Sequence, residues 1–108
     1  MNDFPNDGTG NALKRIENDG SDLSKPMNID FFIAVPSEQI GKDVSKEAAR
    51  LGFETSVEQD EEDLEWTCYC AKFMVLTYED VIEIENQLTI LSEKFNSEYD
   101  GFGSFGNN

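Results

Sequence analysis

The apolar positions along the chain change their spacing from one stretch to the next, and the changes mark the elements. Residues 27–35, MNIDFFIAV, form a nearly continuous apolar run of strand length closed by Pro36. Ile40, Val44, Ala48 and Leu51 then follow at intervals of four, four and three, which places them on one face of a helix. Ser37 is a suitable N-cap for that helix and Gly52 a natural stop. Residues 53–59, FETSVEQ, alternate, with Phe53, Thr55 and Val57 on one side and Glu54, Ser56 and Glu58 on the other. This is the period of a half-buried strand. After the charged turn DEEDLE, residues 66–76, WTCYCAKFMVL, return as a strand whose inward face is ambiguous. Trp66, Cys68 and Cys70 form one set, while Phe73 and Val75 fall on the other. A bulge near Lys72 is expected to reconcile the two.

Val81, Ile84, Leu88, Leu91 and Phe95, at intervals of three, four, three and four, predict the longest helix. Thr77 starts it, and Asp80 stands where the second half of a capping box belongs. Residues 97–105, SEYDGFGSF, read as a last short strand running into a Gly-rich tail. At the other end, Ala12, Leu13 and Ile16 share a helical face, with Thr9 as its start and Gly20 as its stop. Residues 1–11 and 106–108 are expected to be loose ends around a single domain over residues 12–105.

A helix followed by β-α-β-β-α-β predicts the α+β class. The expected fold is a ferredoxin-like α/β sandwich, with a four-stranded antiparallel sheet and its two main helices on one face. The other sheet face stays available, and the N-terminal helix is expected to cover part of it.

Charge narrows the functional classes. The chain carries 23 acidic against 8 basic residues, a formal net charge of -15. Such a surface repels nucleic-acid backbones and suits a basic protein partner, although solubility alone also accounts for it. The sequence has no apolar run near the length of a membrane span and no charged-then-apolar leader, so a cytoplasmic location is expected. There is no His, and so no imidazole base, ligand or nucleophile partner. No phosphate-binding glycine loop of the P-loop or dinucleotide type is present. Neither catalytic residues nor a cofactor are expected.

Cys68 and Cys70 could offer two thiolates to a soft metal, but a structural zinc site needs four ligands and no second pair exists. They read as small apolar strand residues. The acidic stretch over residues 58–65 lacks the spaced carboxylates and central glycine of a calcium loop. It serves either as a solvated hairpin turn or as a negative knob for a basic partner, chiefly through Asp60, Glu61, Glu62 and Asp63. Of the aromatics Trp66, Tyr69, Tyr99 and Phe102, some must be core, and a Trp or Tyr left half-exposed is a candidate contact residue. Trp66, Tyr99 and Phe102, with Asp100, are candidates for an aromatic contact surface.

Three stretches carry a family resemblance. They are NDGSDLSKPMNIDFF, YCAKFMVLTYEDVIEIENQL and LTILSEKFNSEYDGFGSF. Together they resemble the regulator of ribonuclease E activity B family over about residues 17–105. The most specific part is Glu98-Tyr99-Asp100-Gly101-Phe102, with Phe102 where that family usually has Trp. The resemblance implies the same ferredoxin-like sandwich. It also implies a non-enzymatic acidic protein that binds a ribonuclease E-type enzyme, or its degradosome scaffold, and lowers RNA decay. Such an enzyme's partner-binding regions are basic, which suits this chain. In the closing strand, Tyr99 and Phe102 are expected on alternate sides or across a bend permitted by Gly101 and Gly103. Two other readings stay open. One is an adaptor of the same fold with an unrelated basic partner. The other is a small-molecule or metal binder, or an enzyme working with carboxylates alone.

Overall fold

Three helices and four strands make up the computed structural model: α1 (Gly8–Asn18), β1 (Met27–Val35), α2 (Glu38–Arg50), β2 (Glu54–Gln59), β3 (Trp66–Met74), α3 (Tyr78–Lys94) and β4 (Glu98–Gly103). It describes residues 7–104. Of the loose ends expected at residues 1–11 and 106–108, residues 1–6 and 106–108 lie outside the described residues, as does Phe105 at the expected end of the domain.

The strands form one antiparallel sheet in the order β2-β3-β1-β4. With α2 and α3 packed on the same face, this is the ferredoxin-like arrangement that the element order predicts. The core lies between them. Ile29, Phe31 and Ile33 of the central strand, Val44 and Ala48 of α2, and Leu88 of α3 are completely buried in it. Burying each of the larger side chains contributes about 1.5–3 kcal/mol.

Helix starts follow the capping residues. The Ser37 hydroxyl accepts from the Ile40 N–H at 3.2 Å, and the Thr77 hydroxyl accepts from the Asp80 N–H at the same distance. α1 starts earlier than Thr9 implies. Asp7 is its cap and accepts from the Gly10 N–H at 2.7 Å, so residues 8–11 are helical. This leaves the Thr9 hydroxyl free for another use, donation to Glu85 Oε1 on α3. α1 also packs somewhere other than expected. Leu13 and Ile16 join the main core, and the helix lies against α3, not over the open sheet face.

The bulge expected at Lys72 is absent. The β1–β3 ladder runs unbroken from Met27 opposite Met74 to Val35 opposite Trp66. Lys72 keeps the core-facing register because it sits near the strand's end, where its Nζ lies 5.2 Å from the centre of the Phe53 ring. Phe73 therefore points outward and is 65% exposed. The bulge is in β4 instead. Phe32 pairs with Gly101 but Ile33 pairs with Tyr99, so Asp100 is the extra residue. Gly101 has φ 122°, a conformation that side-chain-bearing residues rarely adopt.

Candidate functional site

Three of the four aromatic residues singled out in the sequence, Trp66, Tyr99 and Phe102, face the core. The β4 bulge turns Tyr99 and Phe102, three residues apart, onto the same side of the sheet, opposite Ile33 and Phe31. This corrects the expectation of alternate sides. Both are half-buried against the core, and Phe102 packs on Phe31 with ring centroids 5.7 Å apart. The Tyr99 hydroxyl donates to Glu85 Oε2 at 2.6 Å. Burial, and then that bond, push its phenol above the ordinary range. Glu85 thus ties α1 through Thr9 and β4 through Tyr99 to one point on α3. Trp66 is likewise half-buried and core-facing, opposite Val35. It lines a shallow depression of about 720 Å³ with Leu64, Asn96 and Glu98 at that end of the sheet.

The acidic β2–β3 turn is ordered from within. Asp60 Oδ1 accepts from the N–H groups of Glu62 and Asp63 at 2.8 and 3.2 Å, and Asp63 Oδ1 accepts from the Glu65 N–H at 2.9 Å. The Gln59 side-chain amide donates to the Leu64 carbonyl at 3.0 Å, and Leu64 itself sits at φ 61°. Glu61 and Glu62 are exposed, and neither carboxylate takes part in the turn's hydrogen bonds. Of the four acids chosen from the sequence, two therefore shape the turn and two are available to a partner.

The face of the sheet opposite the helices joins Tyr69, already a candidate from the sequence, to Phe32 and a set of carboxylates that the sequence reading missed. Strand pairing places its residues in rows. In the middle row Ser56, Tyr69, Phe32 and Gly101 lie side by side. Phe32 and Tyr69 are partly buried, as Trp66, Tyr99 and Phe102 are, and meet edge to face on this open side, with centroids 5.5 Å apart. The row on one side runs Glu58, Thr67, Ala34, Glu98, and the row on the other runs Glu54, Ala71, Asp30, Gly103. An aromatic pair is thus set among small residues, with two carboxylates in each flanking row and no Lys or Arg at these strand positions. A depression of about 390 Å³ joins Tyr69 and Thr67 to Glu58, Asp60, Glu61 and Glu62, so the acidic turn is continuous with this face. The available signal was in MNIDFFIAV: once Ile29, Phe31 and Ile33 take the core, Phe32 must point the other way.

Cys68 and Cys70 are fully buried and unpaired in disulfides, and the Cys70 thiol is pushed up by its hydrogen bond with Cys68 and by burial. Among the described residues no group of three or more His, Cys, Asp or Glu is placed to hold a metal ion. No helix among them is long and apolar enough to cross a membrane. A family model described as "Regulator of ribonuclease activity B" matches residues 6–104, nearly the whole chain. A search of curated proteins returns no significant match.

Proposed function

The chain belongs to the Regulator of ribonuclease activity B family, and from that premise we propose that it lowers the activity of a ribonuclease by binding it, with no catalysis of its own. The single observation that supports a binding mode is the helix-free sheet face, where Phe32 and Tyr69 stand among Asp30, Glu54, Glu58 and Glu98 beside the acidic turn. Half-exposed aromatics are the usual anchors of protein interfaces, and surrounding charge selects the partner and speeds encounter. The partner that fits is a ribonuclease E-type enzyme, or its scaffold, engaged through a basic segment in the cytoplasm. Glu61 and Glu62 extend the negative field toward it, while Asp60 and Asp63 hold the turn that presents them. Trp66, Tyr99, Asp100 and Phe102 support the sheet from its core side and from the β4 edge, with Trp66 near enough to the surface to extend the contact.

The test is a cleavage assay. A purified ribonuclease E-type enzyme is given a fluorogenic single-stranded RNA with and without the protein. The expected result is slower cleavage that saturates with protein concentration. Glu61→Gln together with Glu62→Gln should weaken inhibition about three- to tenfold at low salt, since each exposed charge pair is worth about 0.2–1 kcal/mol. Cleavage that proceeds at the same rate at every protein concentration would reject the proposal.

A further inference from the structure

A ferredoxin-like sheet with aromatics on its two central strands is a stacking surface for planar groups. In a basic protein of this shape, nucleobases would be the natural occupants. Here the same platform is ringed by acid. Phe32 on β1 and Tyr69 on β3 lie in one cross-strand row, with Glu58 and Glu98 in the row on one side and Glu54 and Asp30 in the row on the other. Carboxylates so close to the rings repel the phosphates that accompany a base. They also oppose a second copy of this chain, whose matching face would bring like charges together at a net charge of -15.

We propose that this face is a guanidinium-binding surface, and that its occupant is an Arg-rich segment of the partner protein. The inference rests on the reading of the open face as the docking surface and names what docks there. The guanidinium is the biological cation that is both planar and bidentate. It stacks on an aromatic face and at the same time donates paired hydrogen bonds to a carboxylate at its edge. The strand spacing provides for both. Neighbouring strands lie about 4.8 Å apart and same-face neighbours along a strand about 6.8 Å apart, so a cation stacked on one of the two rings, whose planes stand at 86° to each other, has carboxylates within a side chain's reach on both sides. Ala34, Ala71 and Gly101 keep the platform low beside the rings, leaving room for the arginine stem. An ammonium is a compact, strongly hydrated point charge and gains the Coulomb attraction without the stacking or the paired bonds. The surface should therefore discriminate between two peptides of equal charge. By occupying arginines that a ribonuclease would otherwise use on RNA, it would also compete with RNA for the same segment.

The experiment compares a short alternating Arg-Gly peptide with its Lys-Gly counterpart, titrated into the full chain and followed by calorimetry and by the ring resonances of Phe32 and Tyr69. The expected result is a preference for the Arg peptide of about threefold to tenfold, with shifts centred on those two rings. Phe32→Leu combined with Tyr69→Leu should abolish the preference and leave ordinary electrostatic binding of both peptides. A thermal melt of the double variant checks its fold. Should it melt early, Tyr69→Leu alone, which must lower the preference, gives the same reading. Glu54→Gln with Glu58→Gln should weaken both peptides and flatten the salt dependence. Equal affinity of the unmodified protein for the two peptides overturns the proposal, as do shifts confined to the β2–β3 turn. Inhibition of the ribonuclease that survives the aromatic double substitution also overturns it, while the regulatory reading stands. Arg-selective binding to these rings, with no effect on cleavage, supports the surface and removes the regulatory reading.

Discussion

Asp60 holds the β2–β3 turn by accepting two backbone N–H groups, and that makes its carboxylate a structural group in an otherwise solvated acidic stretch. Asp60→Ala is expected to lower stability by about 1 kcal/mol, the net worth of a solvent-accessible hydrogen bond or two. Glu61→Gln, which touches no bond of the turn, should leave the melt unchanged. Chemical denaturation of the two variants side by side checks this, and equal midpoints would show that the turn does not depend on Asp60. A second prediction concerns Tyr99. Burial and the bond to Glu85 raise its phenol above the ordinary 10.0. A raised group contributes stability that is intact below pH 10 and is lost as pH rises through the folded value. Tyr78, raised chiefly by its hydrogen bond to Asp7, acts in the same direction. Tyr99→Phe should cost about 1–2 kcal/mol at neutral pH. Between about pH 8 and about pH 11 the urea midpoint should fall more steeply in the unmodified protein than in the variant. These roles were hard to read in the sequence because both depend on geometry. DEEDLE shows charge but not which oxygen turns inward. EYDGF shows two aromatics three apart, which an unbroken strand would send to opposite faces.

At the scale of elements the sequence was largely sufficient, because each helix and strand satisfies its own periodic rule. Val81, Ile84, Leu88 and Leu91 are all buried on α3, and Ile29, Phe31 and Ile33 all enter the core from β1. Where the reading failed, a local rule was overridden by a neighbour. Leu51 fits the apolar stripe of α2 by spacing but lies at its C-cap and is 46% exposed. The uncertain facing of β3 was settled by its ladder with β1, which leaves Lys72 at the core-side register and Phe73 in solvent. The N-terminal helix could be recognised by its stripe, but not where it docks, since that depends on Thr9 finding Glu85 and on Tyr78 finding Asp7 across the fold. Gly41 is the other position that pattern could not assign. It is the fourth residue of α2, and Gly inside a helix costs up to about 1 kcal/mol relative to Ala. A Cβ there would stand 2.7 Å from Val57 Cγ1 and 3.2 Å from Val35 Cγ2. Both neighbours are β-branched and stiff about χ1, so α2 would have to move off β2. Gly41→Ala is therefore expected to destabilise by about 1 kcal/mol net, overpacking outweighing the gain in helix propensity. A thermal melt decides it: a variant more stable than its parent would show that the helix–sheet contact has slack.

The whole molecule sets its fold and its proposed binding under opposite electrostatic demands. With 23 acids against 8 bases, the native state gathers like charges that the unfolded chain keeps further apart. The ion pairs Lys42–Glu38 and Arg50–Glu47 lie within the exposed face of α2 and do little to neutralise the sheet side. Nine of the 23 acids lie on the open face or in the β2–β3 turn, where no Lys or Arg offsets them, so repulsion acts where the partner is proposed to dock. Salt should consequently act in two directions. Raising ionic strength from about 0.01 M to about 0.15 M shortens the screening length from about 30 Å to about 8 Å, which relieves repulsion within the fold. The melting temperature of the free protein should rise over that range. Over the same range affinity for a basic partner should fall, because screening removes the long-range attraction that steers encounter, and the loss should appear mainly in the association rate. Calorimetry of the free protein and surface-immobilised kinetics of the complex, run in matched buffers, measure the two responses. Neutralising Glu54, Glu58, Glu61 and Glu62 to Gln should shrink both at once, raising the low-salt melting temperature while slowing association. If the quadruple variant gained stability but associated at the parent rate, the acidity would be serving the chain's solubility alone and the partner would be reading only the aromatic platform. If it associated slowly with no gain in stability, the carboxylates would be too far apart in the native state to repel one another, and their placement would answer to the partner alone.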